Sequence, residues 1–212
     1  KTMCRLLMNS RKVDSNEFSG DMILVRDIII KYILRGIMRY DIAHEGYTIA
    51  GLEKDVNWQC PISDDRMVNL SGRADRIDRR ADGSLQIIDY KSGNTPHLEY
   101  NGMVALFRGG AIERVSNIFQ TMLYSMILNR KYNLESCPSL YFASKMLSEE
   151  YSPLILDRTT GAYVERYSDI SEEFERELGA ILEELFDYST PFRQTDDTDM
   201  CKYCDFKKIC RR

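Results

Sequence analysis

The chain of 212 residues carries 29 basic against 33 acidic side chains, a net charge of -4, with 43% hydrophobic and 29% charged residues. That balance suits one folded globular domain with a substantial core and excludes a disordered chain. No apolar run is long enough to span a bilayer and no charged-then-apolar leader opens the chain, so a soluble, cytoplasmic protein without membrane contact is expected. The mild acidity lacks the overall basic footprint of nucleic-acid binders, although a local basic groove fits on an acidic body.

Residues 1–12 read as the end of a helix already under way, and the uncapped start predicts a natural protein that begins earlier. Residues 21–43 follow with helical period. Ile23, Ile30, Ile33, Leu34, Ile37 and Met38 supply one apolar side, and Lys31, Arg35 and Arg39 line another at four-residue spacing. Residues 46–58 read as a strand. Residues 67–80 and 84–91 form the clearest hairpin, with Ala81-Asp82-Gly83 between them as a turn. Residues 93–110, with their glycines, Pro96 and Asn101, read as a loop. Helical period returns over 111–130, where Val115, Ile118, Phe119, Met122, Met126 and Ile127 are apolar.

Pro138 introduces a short strand, Leu140 to Ala143. Segments 153–157 and 162–167 form a second hairpin around Thr160-Gly161. Ser168 or Asp169 caps a last helix to about Tyr188, with Phe174, Leu178, Ile181, Leu182 and Leu185 as its buried stripe. The order helix, three strands, helix, strand describes an α/β domain around a mixed sheet. Acid gathers late, at Glu172, Glu173, Glu175, Glu177, Glu183 and Glu184. The stretch from Arg73 to Arg80 carries Arg73, Arg76, Arg79 and Arg80.

Chemistry concentrates on the hairpin. Alternate strand residues share a face, so Asp89 and Lys91 point together, while Tyr90 points oppositely and leaves its backbone carbonyl near Asp89. A three-residue loop with Gly83 in the left-handed conformation pairs Arg80 with Ser84, Ile77 with Ile87 and Asp75 with Asp89. A two-residue loop would put the two aspartates on opposite faces. In the first register two carboxylates and a lysine converge. Like charges so close call for a cation, and carboxylates with a carbonyl and waters suit magnesium, which polarises a phosphoryl oxygen and helps generate hydroxide. Lys91, a compact point charge, is placed to steady the attacking water or the developing phosphorane charge. Glu53, a lone strand carboxylate, contributes at most through water.

Six cysteines occur: Cys4, Cys60, Cys137, Cys201, Cys204 and Cys210. Without a secretion signal, the three crowded at the C-terminus suggest metal rather than disulfides. Cys60 and Cys137 read as core thiols.

Gly72-Arg73-Ala74-Asp75 followed by Asp89-Tyr90-Lys91 resembles the signature of the PD-(D/E)xK nuclease superfamily in its RecB-like form. Gln120-Thr121-Met122-Leu123-Tyr124 is similar to the Gln-x-x-x-Tyr element of that branch. The i, i+4 spacing puts Gln120 and Tyr124 on one helix face. Cys201-Lys202-Tyr203-Cys204 through Cys210 is similar to the tail of relatives that carry a 4Fe-4S cluster, as in AddB-type subunits.

The resemblance implies a restriction-endonuclease-like core, a central mixed β-sheet flanked by helices in the order αβββαβ. It covers most of the chain, about residues 45–210, within a single RecB-like nuclease domain over 1–212 whose cysteine-rich tail is 193–212. It also implies catalysis by Asp75, Asp89 and Lys91, and Mg2+ or Mn2+ on Asp75, Asp89 and the Tyr90 carbonyl. Gln120 and Tyr124 then contact DNA or support the site. The implied reaction is DNA hydrolysis, as an exonuclease in repair or recombination, with a helicase region or subunit as possible partner. A 4Fe-4S cluster needs four thiolates, so the fourth is expected upstream of Lys1 rather than at Cys4. The metal-binding histidine of the family is expected there too, since His44 and His97 fall elsewhere. Two other readings stand beside this one: an inactive DNA-binding module, and an interaction domain stabilised by zinc or an iron–sulfur cluster, zinc also accepting four cysteine and histidine ligands.

Overall fold

The computed structural model describes residues 20–44, 46–63, 66–93, 97–110, 115–189, 191, 193–202 and 204–212. Cys4 and the expected first helix lie outside them. The chain divides into two compact units. One takes its described residues from 1–45, 92–94 and 142–151, the other from 46–91, 95–141 and 152–212.

In the smaller unit α1 (Gly20–Lys31) continues through a π-helical stretch, Tyr32–Ile37, into α2 (Met38–Ala43). The expected apolar stripe is not buried: Leu34 and Met38 are 55% and 46% exposed. The buried point is Gly36, where an added Cβ would lie 3.2 Å from the Ala143 carbonyl oxygen. A π-helical segment takes more residues per turn than 3.6, so the helical period does not carry through it, and no residue of Gly20–Lys31 is buried. Arg39 secures the contact, donating from Nη2 to the carbonyls of Met146 and Leu147 at 3.2 and 3.1 Å.

The larger unit holds the sheet. Strands β1 (Tyr47–Ser63), β2 (Arg66–Arg80), β3 (Leu85–Lys91) and β5 (Ser136–Phe142) lie in the order β1-β2-β3-β5, with β1/β2 and β2/β3 antiparallel. Between β3 and β5 the chain forms β4 (Glu99–Tyr100), α3 (Met103–Arg108) and α4 (Ser116–Tyr132). The expected loop over 93–110 is therefore partly structured. Met103, Leu106 and Phe107 of α3 are buried, and the Phe107 ring meets Phe119 and Phe174, each at 5.2 Å. A six-residue helix has too few turns to show a period, so its anchor residues alone could have revealed it.

Strand β5 begins at Ser136, before Pro138, and all seven of its residues are buried. Beyond it, β6 (Ile155–Asp157) and β7 (Ala162–Val164) form the second hairpin, and β4 pairs in parallel with β6. Helix α5 (Ser171–Leu185) buries Phe174, Leu178 and Leu182, while Leu185 is exposed. Ile170 rather than Ser168 or Asp169 stands at its N-cap, because residues 167–169 already form a 3₁₀ turn. Helix α4 is buried nearly all round, with Ile118, Met122 and Ile127 at 0% exposure. The order helix, three strands, helix, strand around a central sheet flanked by helices is the α/β architecture expected.

Candidate active site

The turn between β2 and β3 sets the geometry. Gly83 has φ +86°, its N–H donates to the Arg80 carbonyl at 3.0 Å, and the Arg80 N–H donates to the Ser84 carbonyl at 2.8 Å. The Asp82 carboxylate accepts from the Ser84 N–H and hydroxyl at 2.9 and 2.6 Å. These bonds fix the three-residue loop, and the ladder follows: Arg79 with Leu85, Ile77 with Ile87, Arg76 with Ile88.

Arg76 and Ile88 are the last ladder pair. At the next step, where Asp75 would face Asp89, Asp75 Oδ2 accepts the Tyr90 backbone N–H at 2.8 Å. A carboxylate thus takes a β3 donor that a regular ladder would give to a β2 carbonyl. On the other side of β2, Leu52 pairs with Arg76 and Lys54 with Ala74, while Glu53 between them has φ +47°. The sheet is irregular on both flanks of Asp75.

Asp89 is 4% exposed, and Lys91 Nζ lies 2.5 Å from its Oδ2. Burial pushes the Asp89 carboxyl above its usual range. Lys91 opposes that shift, and the neighbouring charge of Asp75 adds to it. Desolvation and a second carboxylate both disfavour the ionised form, and a divalent cation would relieve both. Two carboxylates of this kind fit a hard, oxygen-preferring ion, which commonly keeps water in its remaining positions. No group of three His, Cys, Asp or Glu side chains able to hold a metal occurs among the described residues.

Gln120 and Tyr124 do meet on one face of α4: Gln120 Nε2 donates to the Tyr124 hydroxyl at 2.9 Å. Tyr124 is buried, its ring lying against Gly72. The motifs around Gly72 and Gln120 are therefore joined by packing. His44 Nδ1 lies 2.9 Å from the Tyr40 carbonyl and its ring stacks on Tyr40; His97 is exposed. In the tail, Cys201, Cys204 and Cys210 are half-buried in consecutive turns, without forming such a metal-holding group among the described residues.

The sequence matches the PD-(D/E)XK nuclease superfamily over residues 5–211. The chain belongs to that superfamily. No curated protein matches it. Membership supports phosphodiester hydrolysis, for which PD-(D/E)XK nucleases typically use Mg2+ or Mn2+. Among the described residues no helix is long and apolar enough to cross a membrane.

Sequence reasoning missed the buried pair Arg76 and Asp78, at 3% and 1% exposure, which neighbours Asp75 along β2. The available signal was an arginine and an aspartate at alternate positions of a strand, beside Ile77. That pattern ordinarily marks a solvated face.

Proposed function

We propose that this domain is a divalent-cation-dependent deoxyribonuclease. Asp75 and Asp89 supply the carboxylates that hold the cation, and the Tyr90 carbonyl completes the protein's share of its ligands. Bound there, Mg2+ or Mn2+ would polarise the scissile phosphoryl group and lower the pKa of a bound water. Lys91 presents its ammonium to the attacking water or the developing negative charge. The observation that carries the reading is the buried Asp89 with Lys91 at 2.5 Å, beside an Asp75 fixed by the Tyr90 N–H at 2.8 Å. Gln120 and Tyr124 support the site from behind Gly72.

The finer reading is an exonuclease of RecB-like or AddB-like type, cytoplasmic, acting in DNA repair or recombination beside a helicase region or subunit. It rests on the motif resemblance. So does the assignment of Cys201, Cys204 and Cys210 to a 4Fe-4S cluster, which needs a fourth thiolate; iron and labile-sulfide analysis of the purified protein tests it. The single domain over 1–212 with a tail from 193 belongs to the same reading.

The deciding experiment is cleavage of end-labelled single- and double-stranded DNA with Mg2+, Mn2+ or EDTA, comparing the chain with Lys91→Ala. Cation-dependent cutting that the variant loses is expected. Equal cutting by both proteins would exclude the assigned site. DNA binding without cutting, in this chain and in a longer one, would instead favour an inactive binding module.

A further inference from the structure

Behind the carboxylates, one guanidinium touches three adjacent strands. Arg76 on β2 donates from Nε to Asp78 Oδ1 at 2.8 Å, and its Nη2 lies 2.7 Å from Asp78 Oδ2. Its Nη1 donates to the Tyr90 hydroxyl on β3 at 3.1 Å. Its guanidinium carbon stands 5.0 Å from the centroid of the Tyr47 ring on β1. The Tyr90 ring is further held edge-on to Tyr141 of β5, with centroids 5.7 Å apart.

Stability alone is a poor reason for so deep an ion pair. Desolvation commonly cancels the attraction, and apolar residues of similar volume often fold as well or better. Location offers a better reason. Arg76 belongs to the last pair of the β2–β3 ladder, and the next residues are Asp75 and Asp89. Tyr90 follows Asp89 and precedes Lys91, and its N–H is the donor to Asp75. A displaced Tyr90 would disturb all three at once.

We infer that Arg76, with Asp78 as its counter-ion, is a positioning residue that clamps Tyr90 by its hydroxyl and so holds Asp75, Asp89 and Lys91 at their mutual spacing. Arg76 approaches from the side of the sheet opposite the carboxylates, since strand side chains alternate, and does not touch the reacting atoms. The consequence for catalysis rests on the nuclease reading; the consequence for cation binding is measurable without DNA.

The test is calorimetric titration of Mn2+ alone into the full chain, into Tyr90→Phe, and into the double variant Arg76→Met/Asp78→Leu, with thermal midpoints taken in EDTA. Loss of an outer support of this kind is expected to weaken cation binding roughly tenfold in the double variant. Its midpoint should stay at or above the parent's, because no buried charge is left unpaired. Tyr90→Phe, which keeps the ion pair and the ring, should weaken binding in the same direction. In cleavage assays kcat should fall with little change in KM for DNA. A folded double variant with the parent's Mn2+ affinity overturns the inference. If that variant does not fold, Tyr90→Phe decides alone, and unchanged affinity there overturns it equally. A parent chain that binds no Mn2+ removes the active-site reading itself, and the clamp's role with it. A parent that binds, with variants that bind alike, removes the clamp only.

Discussion

The ring of Tyr124 occupies the space that a side chain on residue 72 would need. An added Cβ at Gly72 would lie 2.4 Å from Tyr124 Cε1 and 2.6 Å from its hydroxyl oxygen. Gly72 lies on β2 three residues before Asp75, so a shift of its backbone propagates toward the carboxylates. Gly72→Ala is expected to destabilise the fold by about 1–3 kcal/mol, the usual cost of overpacking, and to reduce cutting per folded molecule. A double-mutant cycle with Tyr124→Ser checks the cause. The second substitution makes room for the methyl group, so urea melts should show the pair costing less than the sum of the singles. Additive costs would place the effect of Gly72 elsewhere.

Asp89 should be a site where the apo protein gives up stability for function. Its carboxyl is raised by burial, so its folded value lies above the unfolded one of about 3.9. A group shifted that way stabilises the fold relative to its ionised state at low pH, and this contribution is lost as pH rises through the folded value. Asp89→Asn is therefore expected to melt higher than the parent at neutral pH in EDTA. The gap should close as pH falls toward the ordinary carboxylate range. Added Mg2+ should reverse the order by stabilising only the parent, by roughly 2.7 kcal/mol at a hundredfold excess over Kd. Thermal melts across pH, with and without the ion, check both signs. A variant that melts lower at neutral pH in EDTA would mean that the bond to Lys91 outweighs desolvation.

The hairpin was legible because its register depends on local chemistry. Gly83 and Asp82 specify the loop, and the loop fixes every pair from Arg79 with Leu85 to Arg76 with Ile88. What sequence could not show is where the ladder stops, since the Asp75 carboxylate replaces a backbone acceptor only once Tyr90 is in place. Nor could it show Arg76 as buried, because burial of a charged strand residue is decided by Tyr47 and Tyr90 on neighbouring strands. The long helices were read from their period. Helix α3 escaped because a six-residue helix shows no period, and its Phe107 is anchored by the rings of Phe119 and Phe174 on later helices. The helical period read over residues 21–43 does not carry through the π-helical stretch, and no residue of Gly20–Lys31 is buried.

Helix α3 gives a prediction on packing. Phe107 is 6% exposed and Val104, one turn away, is 53% exposed. Phe107→Ala should cost about 3–5 kcal/mol, as expected for a buried aromatic ring. Val104→Ala should stay within roughly 0.5 kcal/mol of the parent. Chemical denaturation of the two variants side by side checks the contrast. Equal, small losses would show that the segment is a surface loop, as its sequence alone suggests.

Glu53 tests the irregularity on the other flank of Asp75. With φ +47°, it holds a left-handed conformation that costs a residue with a β-carbon roughly 1–2 kcal/mol. Its side chain is exposed, so no buried contact offsets that strain. Glycine removes the steric cost but loses about 0.5–1 kcal/mol of chain entropy in a strand. Glu53→Gly is therefore expected to be neutral or stabilising by up to about 1 kcal/mol, whereas Glu53→Val, β-branched, should be clearly destabilising. Because the acidic group only borders the site, cutting by Glu53→Gly should stay near the parent's rate at saturating Mg2+. A variant that melts higher yet cuts much more slowly would show that the strained backbone serves the carboxylate, bringing Glu53 into the water structure around Asp75.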